Sequence, residues 1–243
     1  MTTHVDKMTT KPQNACGQQE RCTLRVEHIT TGYGKKQVLD DVSFSVEKGE
    51  AVLLSGGNGS GKSTVLKTIY GLLKPWAEAQ EGKIVFEEKN ITAMPVSAMI
   101  RNSIVYMPQK RNVFEDFSVE ENLSVSAGIY SRAEARERVG RVFDILPVLK
   151  AMRKRTPFHL SGGEKQLLAF GNVLVHSPKL VLLDEPFAGV DTVNSEVLRD
   201  CIVDLKGSGV TFVVVEHKRL LLDGVVDREI KLELGTIKNG GSG

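Results

Sequence analysis

Gly56-Gly57-Asn58-Gly59-Ser60-Gly61-Lys62-Ser63-Thr64 is the most informative run in the chain. It fits G-x-x-x-x-G-K-[ST], with Gly56 and Gly61 as the fixed glycines. Ala51-Val52-Leu53-Leu54 precedes it, short and apolar as a strand buried on both faces should be. Val65 to Leu73 follows it, with apolar residues at helical spacing. Strand, glycine loop and helix together predict a phosphate-binding loop. Glycines allow the tight turn that points successive N–H groups at phosphate oxygens. The helix start adds the partial charge of its unpaired amides. In that arrangement Lys62 reaches the β- and γ-phosphates of a nucleotide such as ATP, and the Ser63 hydroxyl ligates Mg²⁺.

The bulk properties narrow the class. The 243 residues suit one large domain or two small ones. Hydrophobic content of 41% and charged content of 26% are ordinary for a globular protein. A formal charge of +2 gives no sign of the clustered basic face that nucleic acid requires, so no nucleic-acid partner is expected. The longest apolar runs, such as Phe212 to Val215, fall well short of the roughly 18 residues that span a bilayer. No N-terminal apolar core suggests a signal peptide. A soluble chain is expected, meeting any membrane through a partner. Cys16 and Cys22 are a poor metal pair. Cys201 joins Val197, Leu198, Ile202 and Leu205 on an apolar helical stripe and reads as core.

Residues 1 to 21 are polar and aperiodic, and residues 239 to 243 are glycine-rich; both read as flexible tails around a domain at 22–238. Cys22 to Ile29 and Gln37 to Val46 alternate as half-exposed strands, with Thr31-Gly32-Tyr33-Gly34 as the turn between them. Gly82 to Phe86 and Ser103 to Tyr106 read as further strands, and Pro108-Gln109 begins a loop. Pro75 to Glu81 reads as an exposed loop. Ser118 with Glu121, and Ser131 with Glu134, each fit a capping box at a helix start. This block, about 110 to 176, predicts a helical subdomain.

A third capping box lies in Leu160-Ser161-Gly162-Gly163-Glu164-Lys165-Gln166, after which Leu167, Leu168, Gly171, Leu174 and Val175 share a helical face. Two glycines in a first turn weaken a helix. They suit an anion approaching bare amides. Lys179 to Leu183 predicts a second buried strand, ending in Asp184-Glu185. Strand neighbours point to opposite faces, so Asp184 can hold Mg²⁺ while Glu185 polarises an attacking water. A helix from about Thr192 to Lys206 and a strand from Val210 to Val215 follow, ending at Glu216-His217. His217 falls on the edge where open α/β sheets bind ligands.

Together these motifs resemble the ATP-binding cassette ATPases over roughly residues 22 to 238. The resemblance implies an α/β P-loop fold with an antiparallel β subdomain and a helical subdomain. It assigns Tyr33 to adenine stacking, and Gln109 to Mg²⁺ and the attacking water. Asp184 becomes the Walker B aspartate, Glu185 the catalytic glutamate, and His217 the γ-phosphate contact. Asp191 matches the aspartate of a loop that touches a second ATPase subunit. Two subunits, identical or different, are then expected to close head to tail around two ATPs. Ser161, Gly162 and Gly163 of one would meet the γ-phosphate held by Lys62 of the other. The family works at the inner face of the cell membrane, beneath transmembrane permease subunits.

Val113 to Leu123 and Pro178 to Asp191 are most similar to the ATPases of branched-chain amino acid importers. Asp184 to Asp191 is also similar to lipopolysaccharide-export ATPases, and soluble family members serve iron–sulfur cluster assembly. The longer Pro75 to Glu81 loop, and a C-terminus soon after Gly235-Thr236-Ile237, depart from the family pattern. Relatives usually continue with a C-terminal helical tail, and its absence would bear on dimer stabilisation and regulation rather than on the ATP site.

Overall fold

A computed structural model describes residues 22–76, 82–110, 112–217 and 219–238, without the side chains of Cys22 and Arg219. Both tails and most of the Pro75 to Glu81 loop lie outside the described residues. The chain opens with a hairpin, β1 (Cys22–Tyr33) and β2 (Lys36–Glu47), and then enters β3 (Ala51–Ser55). α1 (Lys62–Ile69) leads to β4 (Lys83–Phe86), β5 (Lys89–Asn90), α2 (Val96–Arg101) and β6 (Ile104–Met107). Next come α3 (Val119–Ser126), α4 (Arg132–Ile145), α5 (Pro147–Ala151) and α6 (Gly162–Leu174). β7 (Leu180–Asp184), α7 (Thr192–Gly207), β8 (Thr211–Val215), β9 (Arg228–Glu233) and β10 (Thr236–Lys238) complete it.

One sheet runs β2-β1-β4-β5 and is antiparallel throughout. The other runs β10-β9-β3-β8-β7-β6, parallel except for β10 on β9. Every residue of β3, β7 and β8 is buried, because sheet or helix covers both faces. Alternate residues feed two cores. Leu53, Leu183 and Val214 pack with Leu167 and Phe170 of α6. Leu54, Leu182 and Val215 pack with Leu66 and Ile69 of α1 and with the antiparallel sheet. The parallel strands therefore deliver their C-terminal ends to one edge, between α1 and the β1–β2 hairpin.

Three expectations need adjustment. The turn placed at Thr31 to Gly34 is strand as far as Tyr33, which pairs with Lys36, so only Gly34 and Lys35 turn. Gly32 is what lets the strands stay close: a Cβ there would lie 2.0 Å from the Lys36 carbonyl oxygen. The Ser131 box is only half formed. Its hydroxyl accepts the Glu134 N–H, but the Glu134 carboxylate accepts Arg138 Nε at 2.9 Å instead of reaching back. Finally, α6 is buried nearly all round rather than on one face, since it meets α3, α5, α7 and β6 together. The boxes at Ser118 and Ser161 are complete, and Cys201 is core, its thiol pushed up to about 12 by burial.

Candidate functional site

The loop between β3 and α1 is shaped by its glycines. Gly56 has φ 144, and a Cβ there would stand 2.1 Å from the Leu232 carbonyl oxygen. Gly61, at φ 105, caps α1 without any side-chain bond, and no acidic residue occupies the helix's first turn. The opening amides of α1 therefore keep no side-chain partner at the cap, and they face a cleft. That cleft, of about 510 Å³, is lined by Asn58, Gly59, Gly61, Lys62, Ser63 and Thr64. Tyr33, Lys36, Gln37, Val38, Glu185, His217 and Leu234 complete its wall. The volume falls in the range of small-molecule sites. Gly56 and Ser60 shape the loop without lining the cleft; the Ser60 hydroxyl is buried without a hydrogen-bond partner.

Lys62 Nζ donates to the carbonyl oxygens of Gly56 and Gly57, each at 2.9 Å, so its ammonium bridges the loop it follows. Burial lowers its pKa, while the charges of Glu185 and Asp184 oppose that shift. Ser63 Oγ donates to Asp184 Oδ1 at 2.8 Å, across 121 residues of sequence. Tyr106 OH donates to Asp184 Oδ2 at 3.0 Å, so both oxygens of this buried carboxylate are held. Burial, then the Asp184 charge, raises the Tyr106 pKa, keeping the phenol a donor. A hydroxyl and a carboxylate meeting at this depth are hard oxygen donors of the kind Mg²⁺ takes together with phosphate oxygens.

Glu185 departs from the strand geometry expected of it. Its φ of 51 is left-handed, and its N–H donates to the Val215 carbonyl oxygen at 2.8 Å. The bend, not strand alternation, separates its carboxylate from that of Asp184. Backbone held in this region concentrates at functional sites. Gln109 Nε2 donates to Glu185 Oε2 at 2.5 Å, and His217 Nε2 lies 3.4 Å from Glu185 Oε1. The loops after β6, β7 and β8 thus converge on one carboxylate, which a water entering the cleft can reach. Tyr33 also lines the cleft, 47% exposed, with Lys67 Nζ 6.0 Å from its ring centre.

Ser161, Gly162, Gly163 and Asp191 form a separate cluster and do not line this cleft. Ser161 caps α6, accepting the Glu164 N–H at 3.1 Å. A Cβ on Gly162 would come within 2.8 Å of the Gly189 carbonyl oxygen, and one on Gly163 within 2.5 Å of Asp191 Oδ2. The glycines therefore also answer to packing within the chain. Asp191 Oδ1 accepts the Asn194 N–H at 3.0 Å, which caps α7 and lowers the carboxyl pKa.

The ABC transporter profile matches residues 39–188. The chain belongs to that family. A branched-chain amino acid transport ATP-binding protein, BraG of Pseudomonas aeruginosa, is 37% identical over 88% of this chain and 90% of its own length. A lipopolysaccharide export ATP-binding protein, LptB of Acidithiobacillus ferridurans, is 33% identical over 90% of each. Among solved structures, the ADP conformation of the cassette MJ1267 matches with a TM-score of 0.77 and 32% identity over 89% of each chain. The MJ0796 cassette, in a dimeric post-hydrolysis state with ADP and Pi, gives 0.77 and 25% identity over 89% of this chain and 97% of that one. This cassette is accordingly the ATPase subunit of an ABC transporter, and its P-loop fold is the one expected. Among its described residues, no helix is long and apolar enough to cross a membrane.

Sequence reasoning passed over three participants. Tyr106 reaches Asp184 only because β6 pairs with β7. Glu216 is buried and accepts the N–H of Phe187 at 3.1 Å and that of His217 at 2.7 Å, tying two loops of the site together. An acid directly after the apolar run Phe212 to Val215 is the available signal. Leu234 had no signal, being contributed by the β9–β10 turn.

Proposed function

We propose that the cassette powers import of branched-chain or other amino acids, working from the cytoplasmic face of the membrane on transmembrane permease subunits. The observation that carries the ATPase chemistry is the convergence of Gln109 and His217 on Glu185, beside the Ser63–Asp184 pair. In this reading Lys62 and the α1 amides grip the phosphates. Ser63, Asp184 and the Gln109 side-chain oxygen would hold Mg²⁺, which when bound would neutralise charge on the phosphates. Glu185 draws a proton from the attacking water, His217 steadies the γ-phosphate, and Tyr33 stacks on adenine.

Ser161, Gly162 and Gly163 complete the site from a second subunit. In support, Ser161 and Gly162 are exposed at a helix start outside their own cleft, with Gly163 buried just behind them, and a dimeric relative shares the fold. For the permease contact we favour the face around Phe114 and Phe117, exposed rings 5.7 Å apart. A groove of about 270 Å³ lies beside them, lined by Met107, Pro108, Asn112 and Val113. Asn112 Nδ2 donates to Gln166 Oε1 at 3.0 Å, and Lys165 pairs with Glu115 at 3.2 Å, joining this face to α6. The amino acid reading rests on similarity to BraG, and the LptB relative supplies the rival. Purification from detergent extracts, followed by ATPase assays in proteoliposomes, tests it. Stimulation by branched-chain amino acids with their binding protein is expected; stimulation by lipopolysaccharide alone, or recovery with soluble scaffold proteins only, refutes it.

A further inference from the structure

Leu234 is an anomaly as a folding residue. It is 94% exposed and held at φ 48, a left-handed conformation that suits Gly or Asn. With Gly235 at φ 82 it forms the two-residue turn between Glu233 and Thr236, where Asn-Gly is the favoured pair. The turn is also fixed in place. Gly235 N–H donates to the Ser60 carbonyl oxygen of the phosphate loop at 3.1 Å, and Asp40 N–H donates to the Gly235 carbonyl oxygen at 2.9 Å. A Cβ on Gly235 would stand 2.1 Å from the Val38 carbonyl oxygen. An apolar side chain is therefore presented from a strained, anchored turn directly onto the nucleotide cleft, beside Val38 and Asn58. Backbone strain of this kind points to function when the side chain gains nothing inside the fold.

Its position identifies the ligand portion. Through Ser60 it touches the phosphate loop, and through Val38 and Asp40 it touches the strand that pairs with the end bearing Tyr33. A molecule with phosphates at α1 and a base at Tyr33 carries its sugar between them. We propose that Leu234 packs against the ribose and base edge of ATP, so that it discriminates nucleotides from bare polyphosphate. This rests on the cleft being the ATP site.

The test is calorimetric titration of the full chain with ATP, ADP and tripolyphosphate, comparing the unaltered protein with Leu234→Gly and Leu234→Asn. Both variants suit the turn better, so melting temperatures without nucleotide should hold or rise. The Kd for ATP and for ADP should increase about fivefold, roughly what losing half the burial of a leucine costs, with that for tripolyphosphate unchanged. ATP affinity within twofold of the unaltered protein in both variants overturns the inference, as does an equal loss for tripolyphosphate. A failure of the unaltered protein to bind ATP at all would instead bring down the underlying reading, and this inference with it.

Discussion

Replacing Tyr106 with Phe removes one oxygen from the site and leaves the ring in place against Tyr70, 5.6 Å away between centres. What is lost is the 3.0 Å bond to Asp184 Oδ2, while Ser63 retains Oδ1. Asp184 is 5% exposed, so water replaces the phenol poorly. Hydrogen bonds to charged groups contribute about 1.5–3 kcal/mol, and relief from burying the phenol hydroxyl offsets part of that. A net destabilisation of about 1–2 kcal/mol follows. For a chain of this size it amounts to roughly 2–8 °C in melting temperature. A double-mutant cycle with Asp184→Asn isolates the bond, because the amide is a neutral and weaker acceptor. Urea unfolding of the four proteins without nucleotide should give a coupling of about 1 kcal/mol. Additivity within about 0.3 kcal/mol would refute the claim that this phenol stabilises the Asp184 carboxylate.

Glu185→Gln should retain ATP binding, lose turnover by a factor of roughly 10²–10⁴ and accumulate an ATP-bound dimer; phosphate release and sedimentation with ATP check this. Tyr33→Ala should weaken nucleotide binding by about 1–3 kcal/mol, as base–aromatic stacking does, and titration with a fluorescent ATP analogue measures it. His176, buried beside Tyr130 and Arg138, has its pKa lowered from 6.5 to about 4 by desolvation and then by the Arg138 charge. Its unfolded form takes up a proton first, so stability present above about pH 6.5 declines toward pH 4 by roughly 3 kcal/mol, and His176→Gln should flatten that part of a urea-derived pH profile.

Local chemistry explains how much was legible. The phosphate loop, the capping boxes at Ser118 and Ser161 and the buried strands depend on residues close in sequence, and each stands where spacing put it. What escaped depends on pairing across long separations. Tyr106 lies 78 residues from Asp184, and nothing near either one announces the bond. Thr31 to Gly34 reads as a turn from its two glycines, whereas Gly32 belongs to the strand and admits the Lys36 carbonyl against it. Periodicity underestimated α6 for a related reason: it marks the most apolar face, and small or polar residues such as Gly163 and Gln166 are buried by neighbours that the pattern does not contain.

The short run from Glu185 to Asp191 holds the two halves of the site together. Its first residue carries the carboxylate met by Gln109 and His217, and its last caps α7 against Gly163. Between them Phe187 is fully buried and its N–H is bonded to Glu216, which also accepts the N–H of His217. Gly189 abuts the start of α6 closely enough that no side chain fits on Gly162. A run so braced has little room to deform internally. The carboxylate met by Gln109 and His217 and the first two glycines of α6 are in this way joined by one short braced run. Close packing alone therefore asks that the first two positions of α6 carry no side chain, since a Cβ on Gly162 would meet the Gly189 carbonyl oxygen and one on Gly163 the Asp191 carboxylate.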